Sequence, residues 1–205
     1  CIGDIGTTSF FPSKNLGCYG DGGAIFTNND ELAIKIRGIV NHGMYKRYHH
    51  DVVGVNSRLD SVQAAILNAK LPYLNSYNKS RQDSARKYSE ALKNCNQIIT
   101  PILSKGCAEI CGSCDCHVFH QYTIRIISKK RDQLADYLLT QKIPFGIYYP
   151  IPLHKQKAYK SESFTDEEFV NTNTLSDEVI SLPMHSELSD DQIDFITSRI
   201  IKFLA

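Results

Sequence analysis

Apolar positions recur along the chain with two spacings, and the spacings mark out its elements. Ile193, Ile196, Ile200 and Phe203 recur at helical intervals and form one face of a helix, with Ser189 and Gln192 as a capping box ahead of it. Leu134 and Leu138 place another helix over residues 132–141. Over residues 118–127 the period drops to two, so Val118, His120, Tyr122, Ile124 and Ile126 share one face of a strand. Residues 145–149 predict a second strand, stopped by Pro150 and Pro152. Nearer the start, Ala24, Ile25, Phe26 and Thr27 predict a short buried strand closed by Asn28 and Asn29. Asn29 or Asp30 then caps a helix carrying Leu32, Ile36 and Ile39 and ending near Gly43. Ser57, with Asp60 three residues later, opens a helix with the apolar stripe Leu59, Val62, Ile66 and Ala69. Pro72 suits the first turn of a further helix toward Asn94. That helix is mostly polar over residues 75–87, as expected of one that bridges two parts of a molecule. Strands alternating with helices predict α/β layers, divided near residue 80.

Composition narrows the class. A chain of 205 residues, 42% hydrophobic, has enough material for a core. With 23 basic against 22 acidic side chains, the net charge of +1 supplies no field for nucleic acid or anionic membrane. No apolar run reaches the ~18 residues of a membrane-spanning helix. The opening CIGDIGTTSFF has neither the charged nor the apolar region of a secretory signal. It also lacks an initiating Met, which predicts a processed product or the C-terminal part of a longer protein. Seven cysteines, an odd number without a signal, predict reduced thiols and a cytoplasmic location.

Candidate chemistry concentrates in residues 9–24, SFFPSKNLGCYGDGGA, where Lys14 sits on a tight turn between an apolar strand and a glycine-rich return. A lysine held against apolar surface loses ammonium solvation and its pKa falls, and the neutral amine can then attack a carbonyl. Thr7, Thr8 and Ser9 place hydroxyls just upstream, suited to a phosphate. The plain alternative is a solvent-facing turn lysine. Arg58 offers a planar fork for a carboxylate or phosphate, or a helix-cap ion pair. Asn56 offers an uncharged amide, or a turn. Tyr148 and Tyr149 offer stacking surface and hydroxyls, or core aromatics.

Four segments, in order, resemble the signatures of the DegT/StrS family of pyridoxal-phosphate sugar aminotransferases. They are the lysine segment; GVNSRLDSVQAAIL from Gly54 to Leu67, similar to G-x-N-x-R-x-x-x-x-Q-A-A; GIYYPIPLHKQKAY from Gly146 to Tyr159; and SDEVISLPMHSELSDDQIDFI from Ser176 to Ile196. The resemblance covers nearly the whole chain. It implies an aspartate-aminotransferase-like α/β fold (the type I fold of pyridoxal-phosphate enzymes). Residues 1–80 would be the C-terminal part of the large cofactor-binding domain, and residues 81–205 a small α+β C-terminal domain. It also implies pyridoxal 5'-phosphate as cofactor, with Lys14 as the Schiff-base lysine and acid/base. Ser9 would bind the cofactor phosphate. Asn56 would reach that phosphate in the neighbouring subunit of a homodimer, with Arg58 beside it near the sugar. Tyr148 and Tyr149 would line the nucleotide-sugar pocket, with His154 in the same loop. The implied activity is transfer of an amino group, with glutamate as donor, to a nucleotide-linked keto sugar for surface polysaccharide or glycan synthesis. Within the family the resemblance points to enzymes that aminate a UDP-linked 2-acetamido-3-keto-uronic acid, with Arg58 as the carboxylate's partner. The family's Asp for the pyridine nitrogen and its ring-stacking aromatic lie upstream of the lysine motif, and Asp4 does not match the former. The chain alone is therefore expected to be inactive.

Two other readings compete. Cys107, Cys111 and Cys114 have C-x3-C-x2-C spacing, followed by Cys116 and His117, which fits a non-catalytic iron–sulfur or zinc module. The opposing expectation is an inert thiol loop and no metal. A regulatory or dehydratase-like member of the same family is the other alternative; such relatives replace the lysine with His, and Lys14 argues against it. His42, His49 and His50 lie in the basic stretch NHGMYKRYHH, a solvated turn or a loop near substrate phosphates.

Overall fold

Residues 2–102, 117–161 and 163–205 are described in this computed structural model. By its internal contacts the chain divides into two compact units, Cys1–Asn75 and Ser76–Ala205, and the division falls inside a helix.

In the first unit, β1 (Gly6–Ser9) pairs antiparallel with β2 (Gly23–Phe26), Gly6 opposite Phe26 and Ser9 opposite Gly23. The lysine segment joins them. β2 is a strand, as its sequence predicts, but it is not buried: Ile25 and Phe26 are about half exposed, at 49% and 54%. Helix α1 (Asp30–Val40) follows, and the Asn29 side chain accepts the Leu32 N–H at 3.1 Å as its cap. A small exposed hairpin, β3 (Met44–Lys46) with β4 (His49–His50), carries the basic stretch. Helix α2 (Ser61–Lys70) begins at Ser61, not Ser57. The Ser57 N–H is already spent on the Val40 carbonyl at 2.9 Å, which holds residues 55–57 extended along the end of α1. Asp60 occupies the cap position without a side-chain cap bond. Leu59 thus precedes the helix, and Leu67 replaces the predicted stripe as its buried residue. A 3-10 turn (Leu71–Tyr73) with Pro72 early in it leads into α3 (Leu74–Leu92).

The second unit is built on a three-stranded antiparallel sheet in the order β5 (Ile98–Ile99), β6 (Tyr122–Ile126), β7 (Val179–Leu182). Tyr122, Ile124 and Ile126 alternate inward as their period demands and are fully buried. The strand does not extend back to Val118, because Phe119 takes a positive φ of 41° and breaks the pleat. Helices α4 (Arg131–Thr140) and α5 (Val170–Glu178) precede β7, and α6 (Asp190–Leu204) closes the chain behind a complete Ser189/Gln192 capping box. α4 supplies Leu134 and Leu138 to the core, and α6 supplies Ile193, Ile196 and Ile200. Leu204 is the last buried residue, while Phe203 stacks on Tyr137 at 5.0 Å. Residues 145–149 form no strand; only Gly146 bridges to Ser181, through bonds of 2.7 and 3.0 Å. Tyr88 and Tyr122 stack at 4.9 Å in the core, and burial pushes the Tyr122 phenol up to about 12. The buried Arg131 guanidinium donates to the Ser176 and Val179 carbonyls at 2.9 and 3.0 Å. Among the described residues, no helix is long and apolar enough to cross a membrane.

Candidate functional site

The ladder between β1 and β2 continues into the loop that carries Lys14. Phe10 N–H donates to the Gly22 carbonyl at 2.7 Å, and Cys18 N–H donates to the Phe10 carbonyl at 2.8 Å. Pro12 and Ser13 turn the chain, and Lys14 N–H closes the turn on the Phe11 carbonyl at 2.8 Å. The return limb passes directly beneath. A side chain at Gly17 would place its Cβ 2.6 Å from the Pro12 carbonyl oxygen and 2.7 Å from that of Phe11, so only glycine fits. The Cys18 thiol is buried between the Phe10 and Gly20 carbonyls, at 2.9 and 3.0 Å. Lys14 is therefore presented by a loop tied at both limbs, and it is half-buried, not sealed in apolar surface. Ser9 ends β1, and its hydroxyl accepts the Phe11 N–H at 3.2 Å, leaving its own O–H free to donate.

Asn56 and Arg58 lie on an extended segment docked against the C-terminal end of α1. Val55 N–H donates to the Ile39 carbonyl at 2.8 Å, and Asn56 bridges Asn41. Gly54 allows this docking: a Cβ there would lie 2.1 Å from the Gly43 nitrogen and 2.5 Å from the Ile39 carbonyl oxygen. Both Asn56 and Arg58 are exposed. Arg58 lines an open cleft of about 1200 Å³ with Thr7, Thr8, Asp21 and Arg37. Lys14 and Ser9 are not among its lining residues.

Tyr148, Tyr149 and His154 belong to the second unit. The two tyrosine rings meet edge-to-face at 5.7 Å and stay largely exposed, so they are not the core aromatics that the sequence left open. His154 is held differently. Its ring stacks on Phe169 at 4.2 Å, and its Nε2 lies 3.0 Å from Asp166, which also meets Lys155 at 2.9 Å. Hydrogen bonds from Lys155, then from His154, hold the Asp166 carboxyl below its ordinary value.

The donor set on the first hairpin has a definite chemistry. A primary amine and a serine hydroxyl lie five residues apart on one braced loop, which suits a small molecule carrying an aldehyde and a phosphate. A pyridoxal 5'-phosphate molecule fits those residue types. The cysteine cluster at 107–116 lies outside the described residues. Among the described residues, no group of three or more His, Cys, Asp or Glu could hold a metal ion.

Two residues of this region were not singled out from the sequence. The Gln63 carbonyl accepts the Tyr19 N–H at 2.8 Å, and the Lys70 ammonium donates to the Gly17 carbonyl. Gln63 stands in the second signature as its glutamine, which is the one signal that pointed to it.

Comparison with known proteins bears on the family and the fold. The chain is 43% identical over 203 residues to "UDP-N-acetyl-3-dehydro-alpha-D-glucosamine 3-aminotransferase" of Acidithiobacillus ferrooxidans, covering 99% of this chain and 52% of the relative. It is 42% identical to "UDP-2-acetamido-2-deoxy-3-oxo-D-glucuronate aminotransferase" of Pseudomonas aeruginosa, covering 97% of this chain and 52% of that protein. It is also 42% identical to a "pleiotropic regulatory protein" of Geobacillus stearothermophilus, covering 99% and 53%. The chain thus spans about half the length of the curated relatives it matches. Among solved structures, a DegT DnrJ EryC1 StrS aminotransferase from Brucella abortus superposes with a TM-score of 0.87 at 40% identity, over 99% of this chain and 52% of that one. NtdA of Bacillus subtilis, with bound cofactor PMP, superposes with a TM-score of 0.84 at 28% identity, over 98% and 46%. These superpositions give the chain the α/β fold of sugar aminotransferases. The DegT/DnrJ/EryC1/StrS aminotransferase family model matches residues 1–201, and with four ordered signatures and that fold, the chain belongs to this family.

Proposed function

We propose that this chain is part of a pyridoxal-phosphate-dependent aminotransferase that transfers an amino group, from glutamate, to a nucleotide-linked keto sugar for polysaccharide or glycan synthesis. The observation that carries the reading is the Lys14 loop: one amine on a turn braced by both limbs of a hairpin, five residues after a serine whose hydroxyl is left to donate. The cofactor when bound supplies an aldehyde and an electron-withdrawing ring. Lys14 would hold the cofactor through its Nζ and would serve as the acid/base that takes up and returns the transferred proton. Ser9 donates its O–H to the phosphate. Asn56 serves the phosphate in a second copy of the protein, so the active unit is a homodimer. Arg58 takes the substrate's carboxylate through its planar fork. Tyr148 and Tyr149 offer exposed rings to the nucleotide, and His154 supports their loop. The substrate is a UDP-linked 2-acetamido-3-keto-uronic acid, whose carboxylate Arg58 would meet; the name of the Pseudomonas aeruginosa relative supports the uronic acid, and the names of both aminotransferase relatives support a UDP-linked 3-keto sugar. In this reading, residues 1–80 are the end of the large cofactor-binding domain and residues 81–205 the small domain, with the division of contacts at Asn75 and Ser76 close to that boundary, and the protein works in the cytoplasm.

The regulatory name of one relative supports a second reading, in which the family fold serves control and not amination. The retained Lys14 favours the enzyme. The test is amination of UDP-linked 3-keto sugars by the intact protein. Replacing Lys14 with Arg is expected to lower turnover by at least about a thousandfold, the scale seen when a covalent catalytic residue is lost. Unchanged turnover in that variant overturns the proposal.

A further inference from the structure

The second family signature contains a glutamine, Gln63, that none of the roles above employs, and seven residues later on the same helix stands Lys70. Seven residues is about two turns, so both side chains leave α2 on one face. Both end on the return limb of the lysine loop. Gln63 Oε1 accepts the Tyr19 N–H at 2.8 Å. Lys70 Nζ donates to the Gly17 carbonyl, and its charge lies 5.6 Å over the Tyr19 ring. We propose that Gln63 and Lys70 are positioning residues for Lys14, clamping the limb on which the lysine turn rests.

The path from clamp to lysine is short. The return limb is bonded to the forward limb through Cys18 N–H to Phe10, and Gly17 lies against the Pro12 and Phe11 carbonyls. The Phe11 carbonyl is the one that accepts the Lys14 N–H. A limb free to move lets that turn open. Held in place, it fixes the direction in which Nζ leaves the loop. The two residue types match what the limb presents. The Tyr19 N–H needs an acceptor of glutamine length, and the buried Gly17 carbonyl needs a donor.

This inference rests on Lys14 being the cofactor-binding amine, and the test separates the two claims. The intact protein is compared with Gln63→Leu, Lys70→Met and Gln63→Glu; the last keeps an acceptor. Three quantities are read: amide hydrogen exchange at Tyr19, the pH midpoint of the visible absorbance of cofactor held on Lys14, and the acetylation rate of Lys14 in cofactor-free protein. Gln63→Leu is expected to speed exchange at Tyr19 roughly two- to tenfold, the equivalent of one net hydrogen bond, and to shift the absorbance midpoint and the acetylation rate. Lys70→Met is expected to do the same from the other end, and Gln63→Glu to restore most of the effect. Unchanged exchange overturns the clamp. So does faster exchange with an unmoved midpoint and acetylation rate, because both residues then merely stabilise the loop. If the unsubstituted protein holds no cofactor on Lys14, the functional reading fails, and the acetylation rates alone decide the clamp.

Discussion

The two units hold themselves together by different means. In Ser76–Ala205, eighteen buried apolar residues among those described form one cluster between the sheet and its helices. In Cys1–Asn75, the buried apolar residues among those described are Cys18 and Leu67, while Ile25, Phe26, Ile34, Val53 and Val62 stay exposed. That unit keeps its form through backbone bonds, glycine contacts and caps. Its lysine loop is defined by hydrogen bonds from Phe10, Lys14 and Cys18, not by a core. Lys14, Ser9, Asn56 and Arg58 thus sit in the unit with fewer buried apolar residues among those described, while Tyr148, Tyr149 and His154 sit in the other. Positions in the first unit are set by backbone geometry, where single-atom changes matter more than buried area.

The largest expected difference comes from truncating one strand isoleucine in each unit. Ile124→Ala, in the centre of the sheet, is expected to cost about 2–5 kcal/mol by urea denaturation of the 205-residue chain. Ile25→Ala in β2, half exposed, is expected to cost less than about 1 kcal/mol. Equal losses would contradict the contrast. A smaller effect is expected from Gly54→Ala, whose Cβ collides with the Gly43 backbone. It should cost about 1–3 kcal/mol locally, seen as faster amide exchange at Val55 and Ser57 with no change in β6 or β7. The smallest effect concerns pH. The Asp166 carboxyl is held below its ordinary value of 3.8, so its contribution is present above that value and is lost as pH falls through the lower folded value. The Asp166 side-chain carboxyl carbon resonance should titrate in that acid range, and a midpoint at or above 3.8 would argue against the pairing.

What was legible in the sequence follows the same divide. The final helix was legible in its cap and in Ile193, Ile196 and Ile200, because those signals are local: Ser189, Gln192 and a period of three and four; its last buried residue is Leu204, not Phe203. The core face of β6 was legible for the same reason, but its start was not, since the alternation runs on through His120 and Val118 while the positive φ at Phe119 ends the pleat. Ser57 carried a cap's signature, yet its N–H bonds to Val40, seventeen residues away in sequence, and no local pattern encodes that. At the site, Lys14 and Ser9 stood out by motif. Gln63 and Lys70 did not, because their contacts span 44 and 53 residues. The exposed faces of β2 and α2 read as core by hydrophobicity alone, and hydrophobicity does not say whether a partner surface is present.

The most direct measurement of the central claim is where the cofactor attaches. The intact protein is incubated with pyridoxal 5'-phosphate, reduced with borohydride, digested and weighed by mass spectrometry. The pyridoxyl mass is expected on the peptide bearing Lys14. Its absence there, or its presence on another lysine, would contradict the account.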